Sequence, residues 1–62
     1  MLDKEIKEKI KEYYNMTEYA YEHSEHGDVS NAIAYGTMVG ISTMLCFLGE
    51  TEFLEELGKN QN

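Results

Sequence analysis

The chain has 62 residues and a formal net charge of −7, from 12 acidic residues and five Lys, with no Arg. A chain of this length forms at most one domain, and it buries only about 60% of the surface that it exposes when unfolded. The acidic balance disfavours contact with nucleic acid phosphates and favours a basic protein surface, and the single Cys excludes an intrachain disulfide.

The first predicted element is an amphipathic helix over residues 3–26. Its apolar or small residues recur at alternating steps of four and three, which is the spacing of a helix-bundle seam. Glu side chains lie outside this stripe. The stripe consists of Ile6, Ile10, Tyr13, Thr17, Ala20 and Ser24, and Tyr14 and Tyr21 widen it on one side.

Gly27 and Asp28 predict a tight turn after this helix. Gly adopts the left-handed conformation that ends a helix. Asp28 or Ser30 can then cap the next helix by accepting a hydrogen bond from its free amides. Two helices joined by so short a turn run antiparallel, as a helical hairpin.

The second predicted helix covers residues 29–48, within a run that carries no charged side chain. Its apolar side chains occupy more faces than one partner helix can cover. We therefore expect an all-α hairpin that dimerises into a four-helix-bundle-like assembly, with the second helices at its centre. The predicted dimer interface consists of Ile33, Gly36, Gly40, Met44, Phe47 and Leu48.

Two features of this helix leave alternatives open. Gly36 and Gly40 each cost about 1 kcal/mol relative to Ala, and either a second helix or a Tyr or Met from the first helix can fill the space beside them. The uncharged run of roughly 21 residues is also long enough to cross a bilayer. Its flanks, Asp28 and Glu50, are not the Lys or Arg that orient a span, so a membrane-associated or structural subunit is an alternative.

Gly49 is predicted to end or kink the second helix. A short third helix is predicted over residues 50–57, with Phe53, Leu54 and Leu57 as its apolar edge and Gly58 as its stop signal. Residues 59–62 form a loose tail in this interpretation. The whole chain, 1–62, is then one domain.

The sequence predicts no enzyme, no metal site and no cofactor. His23 and His26 are metal-ligand types, but their spacing is not that of a metal-binding helix and they lie where the first helix ends. Cys46 lies in the apolar run and is expected to be a packed, inert thiol. A two-helix hairpin also offers no deep pocket.

The expected function is binding of a protein partner, favoured to be basic, in order to modulate or inhibit it. Short acidic chains of this kind are typical of phages and mobile elements, which antagonise host machinery or defence. An alternative is an acidic mimic that blocks a DNA- or RNA-binding protein, because carboxylates along a helix resemble duplex phosphates. The predicted partner-binding residues are Glu18, Tyr19, Glu22, His23 and His26.

The composition also predicts a cytoplasmic location, which is the host cytoplasm if the protein is viral. A single Cys fits a reducing compartment, and the first residues lack the cationic start and apolar stretch of a signal peptide. The predicted arrangement of two hairpins resembles the Rop-type dimers in layout alone. RNA binding is not implied, because no residue motif carries the likeness and the acidic charge opposes it.

Overall fold

The computed structural model describes residues 2–59. These residues form three α-helices, α1 (Lys4–Glu22), α2 (Val29–Phe47) and α3 (Thr51–Lys59), and no strand. Contacts join residue 21 to residue 31 at one end and residue 2 to residue 50 at the other. α1 and α2 therefore run antiparallel along each other. The prediction of an all-α fold is confirmed.

α1 begins as predicted but ends four residues early. The Asp3 side chain caps the first turn by accepting a hydrogen bond of 2.8 Å from the Ile6 amide. The last residue is Glu22 rather than residue 26, and His23 is the C-cap. His26 therefore lies in the connecting turn and not on the helix, which corrects the predicted boundary.

The cause of this early end is a polar side chain from α2. Asn31 Nδ2 donates to the Tyr21 carbonyl oxygen at 3.0 Å, and Ser24 Oγ donates to the same oxygen at 3.1 Å. A terminal carbonyl satisfied in this way needs no further helical turn. Gly27 then takes a φ of 95°. Asp28 occupies the N-cap position of α2 but its side chain makes no capping hydrogen bond, so the predicted side-chain cap is wrong there.

α2 ends at the predicted glycine in a Schellman motif. Gly49 has a φ of 75°, its amide donates to the Cys46 carbonyl oxygen at 3.1 Å, and the Glu50 amide donates to that of Leu45 at 2.9 Å. These two bonds satisfy carbonyls that the helix leaves free. Glu50 accepts a hydrogen bond of 3.0 Å from the Leu54 amide through its carbonyl oxygen and so stands just before α3.

α3 differs from its predicted range of 50–57. It runs from Thr51 to Lys59 and includes Gly58, which is therefore not a stop signal. Leu57, at 0% exposure, anchors the last turn in the interior. The predicted loose tail lies outside the described residues beyond Lys59.

The core lies where all three helices meet. Tyr14, Leu45, Phe53 and Leu57 are buried, and five partly buried apolar side chains pack around them: Leu2, Ile10, Met38, Ile41 and Leu54. Tyr14, on the widened side of the predicted stripe, is buried, whereas Tyr13 is exposed, because α3 packs on the Tyr14 side of the helix. Ile6, Tyr13 and Ala20 of the predicted seam are exposed, and Cys46 is exposed rather than packed.

Candidate interaction surfaces

One side of the helical hairpin is covered by no helix among residues 2–59. α3 packs on the other side, where Phe53 shares a cleft with Lys7 and Lys11. On the uncovered side, the two helices line shallow apolar grooves and α2 adds its outer surface. We call this surface the open face; it consists of Tyr13, Met16 and Ala20 of α1 and Ile33, Gly36, Gly40, Met44, Phe47 and Leu48 of α2.

The six residues predicted for the dimer interface are all exposed, which is why the open face is defined to include them. Ile33 is 63% exposed and Phe47 is 79% exposed. A Cβ added at Gly36 or Gly40 meets no atom within 4 Å. The alternative in which a Tyr or Met of the first helix fills the space at these glycines is therefore wrong. The packing of a second helix there stays a prediction.

Two threonine hydroxyls of α2 are satisfied within the helix itself. Thr37 Oγ donates to the Ile33 carbonyl oxygen and Thr43 Oγ to that of Val39, each at 2.8 Å. Threonine hydroxyls commonly bond four residues back in this way. No residue of α2 is charged. The open face can therefore be covered without stranding a charge or either of these hydroxyls.

α2 is also long and apolar enough to cross a membrane, by length and composition alone. Only 17% of its most apolar window is buried within the chain. A soluble core helix passes the same test when most of it is buried. The low buried fraction means that something other than this chain's own helices has to cover α2 if it is to be shielded from water.

The residues predicted to bind a partner lie near the turn. We call Glu18, Tyr19, Glu22, His23 and His26 the turn-end patch. The Tyr19 and His23 rings stack, with centroids 3.8 Å apart and planes at 20°. His23 Nδ1 lies 2.9 Å from the Tyr19 carbonyl oxygen, to which it donates. Tyr19 is 64% exposed, as its position off the seam predicted.

Four residues of the turn-end patch lie at the end of α1, and His26 lies in the turn that follows. Burial raises the pKa of the Glu18 carboxyl, and the negative charge of Glu22 raises it further. The two carboxylates stand four residues apart on one face, an arrangement in which like charges repel.

Two polar contacts that the sequence analysis missed fix the hairpin at its ends. Asn31, 8% exposed, donates to the Tyr21 carbonyl oxygen and, at 3.1 Å, to Ser24 Oγ. At the other end, Lys7 Nζ lies 3.4 Å from Glu50 Oε1. The only signal for Asn31 was a polar residue within an apolar run. Nothing in the sequence indicated which of the many acids Lys7 pairs with.

Within residues 2–59, no three His, Cys, Asp or Glu side chains are grouped so that they could hold a metal ion. In comparisons with protein-family models, curated proteins and solved structures, none matches this chain.

Proposed function

We propose that this chain is a non-catalytic, homodimeric helical module that binds a protein partner and modulates its activity. The observation that carries the proposal is the open face, which is apolar, uncharged and uncovered. Soluble monomers rarely expose contiguous apolar patches of more than a few hundred Å². Every copy of the chain carries the same open face, so a second copy is the partner that we propose to cover it.

The lack of charge on α2 fits a second copy. Two chains of net charge −7 repel each other. The contact is therefore favoured where neither chain brings a charge, as on α2.

The two carboxylates of the turn-end patch stay accessible in such a dimer. Glu18 and Glu22 lie roughly 160° and 120° around α1 from Met16 of the open face, at 100° per residue. Covering Met16 therefore leaves the two carboxylates in solvent. A dimer presents the patch twice, which increases avidity for a partner that is itself multimeric.

The dimer is tested with Gly40→Leu. The wild-type 7.2 kDa chain is expected to sediment at twice its mass. Leu at position 40 fits the monomer, because a Cβ there meets nothing within 4 Å, and it raises helix propensity by about 0.8 kcal/mol. We expect the variant to keep its far-ultraviolet circular dichroism spectrum and to sediment as a monomer.

Asn15→Leu is the matched control, because Asn15 is an exposed residue of α1 away from the open face. It adds a similar side chain and is expected to remain dimeric. A wild-type chain that is monomeric and well folded at all concentrations contradicts the proposal. So does a Gly40→Leu variant that dimerises as tightly as the wild type.

Partner binding is tested with Tyr19→Ala and Glu22→Lys. Both residues are exposed, so the dimer is expected to persist. Loss of a Tyr anchor commonly weakens a protein complex by about tenfold or more. The measurement is titration of each dimeric variant against the protein that the wild type captures from its native cell. Equal affinity of both variants and the wild type removes the turn-end patch from the proposal.

A second candidate is a membrane-associated subunit, favoured by the length and low burial of α2. In that function α2 leaves α1 and breaks the hydrogen bonds of Asn31 and the ion pair of Lys7 with Glu50. The two candidates differ in partition after cell lysis. Recovery in detergent-free buffer supports the dimeric module, and recovery only in detergent extracts of membranes supports the membrane subunit.

A further inference from the structure

We draw no further inference here: the strongest candidate, the apolar open face that α1 and α2 leave exposed on one side of the hairpin, carries none, because nothing in the structure shows what covers it.

Discussion

At the scale of single residues, Glu50 connects the two chain segments that flank the core. One carboxylate oxygen accepts a hydrogen bond from the Leu2 amide at 3.3 Å, and the other pairs with Lys7 Nζ. The Leu2 hydrogen bond is the main cause that lowers the pKa of Glu50, and the charge of Lys7 lowers it further against the opposing effect of burial. Glu50 is thus an acid whose ionisation stabilises the folded state.

We predict that Glu50→Gln flattens the acid branch of the stability profile. A carboxyl whose pKa is lower in the folded state stabilises the fold above its ordinary pKa, and that contribution disappears as the pH falls through the lower, folded value. The window therefore opens just below the ordinary value of 4.5. Thermal melts should show Glu50→Gln below the wild type at pH 7 and converging with it towards pH 3.

Glu55→Gln is the control for this experiment, since Glu55 is exposed on α3, the helix that follows Glu50. It is expected to follow the wild-type profile over the whole range. A constant offset between Glu50→Gln and the wild type from pH 7 to pH 3 contradicts the interpretation, because it indicates a packing effect and not an ionic one.

At the scale of the helices, two glycines close in sequence have opposite conformational roles. Gly49 has a φ of 75° in the turn between α2 and α3, whereas Gly58 lies within α3 without a positive φ. Neither has an atom within 4 Å of its Cβ position, so space is not the difference between them. Gly49 and Gly58 therefore differ in their tolerance of a side chain because of their backbone conformation alone.

We predict that Gly49→Ala destabilises the fold by about 1–2 kcal/mol, because an L-residue pays that cost in the left-handed conformation. Gly58→Ala should stabilise it by up to about 1 kcal/mol through helix propensity. Urea titrations at equal chain concentration measure both. Shifts of the same sign for the two variants contradict this account of the turn.

Much of this element scale could be predicted from sequence, and its failures have local causes. The position of Gly49 predicted the end of α2, and the length of the uncharged run predicted the length of the helix. The end of α1 was misplaced because the group that satisfies the Tyr21 carbonyl, Asn31, lies ten residues away. The inward side of α1 was misplaced because α3 decides between Tyr13 and Tyr14, and periodicity within α1 contains no information about α3.

At the scale of the whole molecule, the exposure of apolar side chains on α2 could be predicted from the sequence. A run without charge on several sides of a helix indicates unmet burial, and the exposed Ile33 and Phe47 are its structural counterpart. The turn-end patch was inferred from residue types. The structure brings four of its members together at one helix end and leaves His26 in the turn.

We predict that the melting temperature of the wild type rises with chain concentration. Association of folded chains stabilises the folded state by mass action, and unfolded chains do not share in it. Melts of Gly40→Leu should show no such dependence, and those of Asn15→Leu should match the wild type. A wild-type melting temperature that stays constant over a hundredfold range of chain concentration contradicts dimerisation within that range.

The buried side chains differ in size between the two ends of the hairpin, so we expect the two ends to differ in rigidity. The large buried side chains, Leu45, Phe53 and Leu57, gather at the end where α3 joins the hairpin, whereas Thr17, Asn31 and Ala34 fill the interior towards the turn. Segments with few buried apolar contacts open first and exchange their amide hydrogens fastest. We therefore expect the amides near the turn-end patch to exchange fastest, and docking of the proposed partner to slow their exchange most.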